Sequence, residues 1–340
     1  MDYHQLNAHT RPLGLLLSDK VNQQYGLRFE ELAEKNEVVI RRYPLTGVGE
    51  EDYSRIDAAF FSRDLYAGSS MISPSPLSSA FFRIVNNAKM LQWLHVCSSG
   101  LDLPQYATSL ARGIHVTTSS GSTAIPIAQT TMAAMLSLSR GFGHWLPAQA
   151  SRNWAPLSGD NLPADITSQH VLIAGAGAIG QALGRMLLAV GFRVTAVRRK
   201  AIPLAPFDSV IDYSQLDHAL ATCDWLVLAL PLNQETRGII DRRRLALMPS
   251  SAYIANIGRG ALIDEEALTE ALSYGRIAGA YLDTFVREPL PPASPLWGLP
   301  NVWITPHNSS ASRGHEQRVV EKFEHEYKKW LNVHVKHSPS

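Results

Sequence analysis

Three short polar segments late in the chain carry residue types that can move a proton and grip an anion. They are Asn256-Ile257-Gly258-Arg259-Gly260, then Asp283-Thr284-Phe285-Val286-Arg287-Glu288-Pro289-Leu290, then Thr305-Pro306-His307-Asn308. A carboxylate beside an imidazole orients the ring and favours its protonated form. The imidazolium can then serve as general acid toward a carbonyl oxygen. An arginine adds a planar fork for a carboxylate and a charge that polarises a carbonyl. Arg259, Glu288 and His307 supply one of each. With 12 His and 31 Lys plus Arg in the chain, any one of them alone reads as an ordinary surface or core residue. Their shared position gives them weight: each segment follows an apolar run read as a strand, and open α/β sheets place ligand sites at the carboxyl ends of strands.

A fourth segment offers backbone rather than side chains. Gly175-Ala176-Gly177-Ala178-Ile179-Gly180 follows the apolar run Val171-Leu172-Ile173-Ala174 and opens a helix expected over 178–190. In such a G-x-G-x-x-G the first glycine permits a tight turn, the second admits a pyrophosphate and the third lets helix pack on strand. The phosphates then face free N–H groups at a helix N-terminus, where the dipole favours negative charge. Roughly 20 residues past such a loop, an acidic side chain binds a ribose 2′-OH, whereas an Arg meets a 2′-phosphate. Here the next strand ends in Arg198-Arg199-Lys200, with no Asp or Glu from 193 to 200. That pattern predicts NADP(H) as the preferred cofactor with NAD(H) possible. Arg198 and Arg199 would be the discriminating pair, with Lys200 in support.

These segments need two series of alternating strands and helices to position them, and that alternation implies parallel sheets. In the first series residues 13–17, 37–40, 58–62, 93–97 and 114–118 read as strands, and 29–35 and 79–89 as helices. The Ser- and Pro-rich stretch 69–79 reads as a loop. Residues 125–138 form a good helix with small residues along one side, and 147–163 looks loop-like. The second series has strands at 170–174, 193–197, 225–230, 253–256, 279–282 and 302–305. Its helices fall at 178–190, 213–221, 237–247 and 264–274, and a charged amphipathic helix follows at 312–330.

Composition narrows the class further. At 340 residues, about two domains are expected. Hydrophobic residues make up 45% and charged residues 18%, enough to fill a sizeable core. The net charge of +1 argues against an electrostatic nucleic-acid binder. Cys97 and Cys223 cannot build a disulfide framework or a multi-Cys zinc site, so reduced thiols and no metal are expected. The polar start and the lack of any apolar run near ~18 residues point to a cytoplasmic protein with no membrane span.

Taken together, GAGAIG, NIGRGALID, DTFVREPL and TPHNS resemble the D-isomer-specific 2-hydroxyacid dehydrogenase family, and within it the glyoxylate/hydroxypyruvate reductase type. The spacings fit as well, with Arg259 to Glu288 at 29 residues and Glu288 to His307 at 19. Upstream, Ser98-Ser99-Gly100-Leu101-Asp102 looks like the family's loop for a substrate carboxylate. The resemblance implies two Rossmann-like, doubly wound parallel-sheet domains with an inter-domain cleft. A discontinuous substrate-binding domain would span 1–118 and 308–340, and an NAD(P)-binding domain 119–307. It also implies reduction of a small 2-oxo acid to the D-2-hydroxy acid by a homodimer. His307 would be the proton donor, Glu288 its partner and Arg259 the substrate grip, with the N–H groups of Ser99 and Gly100 holding the carboxylate. Leu230, Pro231, Thr236, Ile257, Gly258, Arg259, Asp283 and His307 would line the cofactor beside Gly175, Gly177, Ala178, Ile179 and Gly180. Asp283 would sit near the nicotinamide amide. Two stretches depart from the family pattern where substrate choice is decided: Ile127–Met132 lacks the usual acidic residue followed by His, and Asn308-Ser309-Ser310 replaces Ile-Gly-Gly or Ile-Gly-Ser. Two other readings are a nucleotide-sensing corepressor of the same fold and a formate dehydrogenase-like enzyme, the latter disfavoured because it would pair the His with Gln. A phosphoglycerate dehydrogenase with a regulatory domain is disfavoured by the 33 residues after His307.

Overall fold

The computed structural model describes residues 11–43, 50–69, 73–101 and 103–334. They form two compact units, one within Met1–Ser122 and Arg313–Ser340, the other Thr123–Ser312. Each is built on its own sheet, and every strand pairing in both is parallel.

The first unit has five strands: β1 (Leu13–Ser18), β2 (Val38–Tyr43), β3 (Ala58–Phe61), β4 (Trp93–Val96) and β5 (His115–Thr118), in the order β2-β1-β3-β4-β5. Central strands of a parallel sheet are covered on both faces, so they read as continuous apolar runs rather than alternating ones. All six residues of β1 and all four of β3 and β4 are buried accordingly. The helix His315–His334 lays one face on this sheet, where Phe323 stacks on Phe60 at 4.2 Å and Trp93 stacks on Phe323, Tyr327 and Trp330.

The second unit has seven strands: β6 (His170–Ala174), β7 (Arg193–Val197), β8 (Ser209–Ile211), β9 (Trp225–Leu228), β10 (Tyr253–Asn256), β11 (Gly279–Leu282) and β12 (Val302–Ile304). Their order, β12-β11-β10-β9-β6-β7-β8, reverses direction between β6 and β9, the switch point at which doubly wound sheets bind ligands. Successive residues of β6 face opposite layers. Val171 and Ile173 join the core under the helices Ala124–Ser139 and Ala178–Ala189, while Leu172 and Ala174 join the core on the other face.

Several expected elements change. The helix expected at 29–35 starts at Asp19 and runs to Glu34, because the Ser18 hydroxyl accepts the Val21 N–H and caps it. Its polar first half, with Gly26 inside, hides the apolar period. The expected loop at 69–79 ends early: Ser75 caps a helix, Pro76–Asn87, whose first residue is the one place where a helix loses nothing to proline; residues 70–72 lie outside the described ones. The stretch 147–163, expected to be loop-like, begins inside the helix Phe142–Ala150, where the Pro147 carbonyl accepts the Ser151 N–H. Only Arg242–Leu245 is helical within 237–247, since Ile240 bridges to Ile263. The strand β8, Ser209–Ile211, has only Val210 and Ile211 as a strand signal, too short a run to stand out in the sequence.

Candidate active site

The second unit gathers Arg259, Glu288 and His307 from three separate strand ends. Arg259 lies in the turn after β10, held by the Asn256 side chain, whose oxygen accepts the Gly258 N–H (3.2 Å) and whose amide donates to the Arg259 carbonyl (2.9 Å). Gly260 is required here: a Cβ would lie 1.9 Å from the Phe285 carbonyl carbon, so this turn and the segment after β11 meet backbone to backbone. The Arg259 guanidinium donates to the Gly258 carbonyl at 2.8 Å.

Glu288 bridges its own loop and the imidazole. One oxygen accepts the Phe285 N–H at 3.0 Å, and the other lies 2.7 Å from His307 Nδ1. An ionised carboxylate only accepts, so Nδ1 carries the proton and Nε2 is left to exchange one. The hydrogen bond His307 donates to Glu288 pushes the His307 pKa above its ordinary value, against the opposing effect of burial. Burial pushes the Glu288 carboxyl up, but the His307 hydrogen bond and charge, the Phe285 N–H and the Arg259 charge together hold it below the usual range.

His307 has φ +49, in the left-handed region that few non-glycine residues occupy. Asp283 is what holds it there. This carboxylate is buried and accepts from the Asn308 N–H (2.9 Å), the Ser309 N–H (3.0 Å), the Thr305 hydroxyl (2.6 Å) and the Ser309 hydroxyl. Its backbone carbonyl takes the His307 N–H at 2.8 Å. Since Thr305 donates to Asp283, the Tyr281 hydroxyl 2.9 Å away must donate to Thr305; burial pushes its pKa up to about 12. Asn256 and Thr305 lie in the polar segments and Ser309 just after them, but the sequence assigns no positioning role to any of these or to Tyr281; only the placement of Asn256 before Gly-x-Gly gives a local signal, that of a side-chain-capped turn.

The glycine loop meets the steric demands of a dinucleotide. Gly175 has φ +114, and a Cβ there would sit 2.4 Å from the Ala229 carbonyl oxygen. A Cβ on Gly180 would sit 2.0 Å from the Gly175 oxygen, so the helix Ala178–Ala189 could not pack. At Gly177 a Cβ would meet nothing within 4 Å: this backbone faces open space, as one that cradles a phosphate must. Gly177 and Ala178 are exposed and Ile179 half-buried, and no side chain caps this helix start. Leu230, Ile257 and Gly258 are buried at the ends of β9 and β10, with Pro231 exposed beside them. Thr236 is committed internally, donating to the Pro231 carbonyl (2.7 Å) and accepting the Asn233 N–H (2.9 Å). Arg198, Arg199 and Lys200 follow β7; Arg199 is paired with Glu235 at 2.9 Å.

In the first unit, Ser99 and Gly100 follow β4. The Ser98 hydroxyl donates to the Gly100 carbonyl (2.7 Å) and lies 3.0 Å from the Tyr106 hydroxyl, which fixes the loop. Neither the Ser99 nor the Gly100 N–H has an acceptor among the described residues. Asp102 of the same expected loop lies outside the described residues.

Residues 132–309 match the family model described as D-isomer specific 2-hydroxyacid dehydrogenase, NAD binding domain. A glyoxylate/hydroxypyruvate reductase B of Pectobacterium carotovorum subsp. carotovorum is 40% identical over 197 residues, which are 56% of this chain and 60% of that protein. The chain thus matches less than two thirds of the length of such curated relatives. A solved D-isomer specific 2-hydroxyacid dehydrogenase family protein from Aeromonas salmonicida superposes with a TM-score of 0.73 at 27% identity, covering 95% of this chain and 97% of that one. A D-isomer specific 2-hydroxyacid dehydrogenase from Xanthobacter autotrophicus, solved with NADPH and MES, gives 0.71 at 25% identity, covering 94% and 96%.

Proposed function

The chain belongs to the D-isomer specific 2-hydroxyacid dehydrogenase family, and we propose that it reduces small 2-oxo acids, glyoxylate and hydroxypyruvate first among them, to D-2-hydroxy acids with NADPH. The observation that carries this reading is the 2.7 Å contact between His307 Nδ1 and Glu288. Gly175–Gly180 would hold the dinucleotide by its pyrophosphate, and the bound cofactor would supply the hydride. His307, protonated and aligned by Glu288, gives the Nε2 proton to the carbonyl oxygen and is left neutral. Arg259 binds the substrate's carboxylate and draws charge onto the carbonyl oxygen as the new C–H bond forms. The unpartnered N–H groups of Ser99 and Gly100 take up carboxylate oxygens. The first unit is thus read as substrate-binding and the second as cofactor-binding.

Turnover is tested by following the loss of reduced-nicotinamide absorbance with NADPH and a panel of 2-oxo acids. His307→Ala and Arg259→Ala should each lose most of it, a general acid being worth roughly 10²–10⁴-fold. Absence of turnover across the whole panel would overturn the enzyme reading in favour of a nucleotide sensor.

We infer a homodimer formed through the second unit. The helix Phe142–Ala150 has no buried residue, and Phe142, Trp145 and Leu146 on it, with Trp154 and Leu162 after it, are exposed. Light scattering that gives a monomeric mass would refute this. No helix among the described residues is long and apolar enough to cross a membrane. A cytoplasmic location is proposed on the two buried thiols of Cys97 and Cys223, neither in a disulfide.

A further inference from the structure

We propose that Glu235 tunes cofactor discrimination by sequestering Arg199; the inference rests on the NADPH reading above. Arg198, Arg199 and Lys200 look equivalent in the sequence, but the fold makes them unequal. Arg199 directs Nε (3.2 Å) and Nη2 (2.9 Å) at one oxygen of Glu235, 36 residues away. Arg198 and Lys200 have no side-chain partner among the described residues.

The pair occupies a telling place. Arg199 follows β7 and Glu235 lies in the turn after β9; these strands flank β6, whose carboxyl end carries the glycine loop. The ion pair therefore spans the strand that delivers the dinucleotide loop. Glu235 is not on a loose loop. The Asn233 side-chain oxygen accepts the N–H groups of Glu235 (2.9 Å) and Thr236 (3.1 Å), and Thr236 ties the turn to the Pro231 carbonyl.

Two consequences follow for a 2′-phosphate, which needs positive charge and a guanidinium fork. Glu235 cancels the charge of Arg199 and occupies two of its donors, and its own charge repels the phosphate. NADPH must displace or share Arg199, while NADH, with a neutral 2′-hydroxyl, meets no such competition. Arg198 then carries most of the 2′-phosphate recognition, and Glu235 restrains NADPH affinity without touching NADH.

Dissociation constants for NADPH and NADH by isothermal titration calorimetry on the full chain, without substrate, test this. Glu235→Gln is expected to tighten NADPH by about two- to fivefold, the range that releasing one exposed ion pair can return, and to leave NADH within about twofold. Arg199→Ala in the Glu235→Gln background should remove that gain. Glu235→Gln weakening NADPH, or moving both cofactors equally, overturns the inference, since Glu235 would then orient Arg199 or merely stabilise the turn. If the unmodified chain binds neither nucleotide, the cofactor reading itself falls and this inference with it. Binding with an unchanged ratio overturns the inference alone.

Discussion

Replacing Glu288 by Gln separates the charge of this residue from its shape, and the structure sets the size of the effect. The Glu288 oxygen 2.7 Å from His307 Nδ1 favours the imidazolium through a charged hydrogen bond, a class worth about 1.5–3 kcal/mol. One pKa unit corresponds to about 1.36 kcal/mol, so full loss would lower the His307 pKa by roughly one to two units. The imidazole side chain is 37% exposed, and solvent screening puts the expectation at the lower end, about one unit. The raised pKa of His307 keeps it protonated to higher pH in the unmodified protein, so the variant loses the acid form earlier as pH rises. Above both pKa values kcat/KM for 2-oxo acid reduction should fall about tenfold; below both, where either imidazole is protonated, the two proteins should converge. The assay is kcat/KM for glyoxylate from pH 5 to 9 at saturating NADPH. Gln brings one oxygen where Glu has two, so either the Phe285 N–H or His307 loses its acceptor, and a uniform loss through misplacement must be told apart from the electrostatic one. A loss of equal size at every pH, with superimposable profiles, would refute the claim that Glu288 acts through charge.

The same pair predicts a pH window for stability. The raised pKa of His307 contributes stability that is present below its ordinary 6.5 and lost as pH climbs through the folded value; the lowered pKa of Glu288 contributes above its ordinary 4.5 and loses it as pH falls through the folded value. The Tm gap between the unmodified chain and His307→Gln should therefore be largest between about pH 4.5 and 6.5 and shrink by pH 9; a flat gap would contradict it. Arg198→Ala should raise the Kd for NADPH about tenfold, as loss of a charged hydrogen bond does, with NADH nearly unchanged, and equal shifts would sink the 2′-phosphate assignment. Gly260→Ala, whose Cβ would lie 1.9 Å from backbone carbon, should cost at least the ~1–3 kcal/mol of an overpacked core in urea unfolding. Wild-type stability in that variant would mean the two loops are not held in contact.

What the sequence revealed and what it hid divide along a physical line. The runs at 170–174, 193–197, 253–256 and 279–282 coincide with β6, β7, β10 and β11 because the inner positions of a strand covered on both faces are mostly apolar, with polar residues such as His170, Arg193 and Asn256 at the strand ends. The glycines are legible for a like reason: at Gly175 and Gly180 a single carbon would strike backbone, so the constraint sits on one residue type at one position. The helix Asp19–Glu34 was half hidden because its start is fixed by one hydroxyl, and β8 was missed because its three residues gain their form only by pairing with β7. The site divides in the same way. Arg259, Glu288 and His307 announce themselves by chemical type, but the groups that hold them do so by distant contacts. Asp283 gathers Thr305, Asn308 and Ser309 from 22 to 26 residues away, and Arg199 finds Glu235 across β6. No local spacing encodes such pairings; they exist only once β11 and β12, or β7 and β9, have taken their places in the sheet. His307 shows why they matter. Its left-handed backbone is unfavourable in isolation and persists only where surrounding bonds over-determine it, so the imidazole proposed as the acid is aimed by Asp283, a carboxylate the motif shows but whose grip it does not.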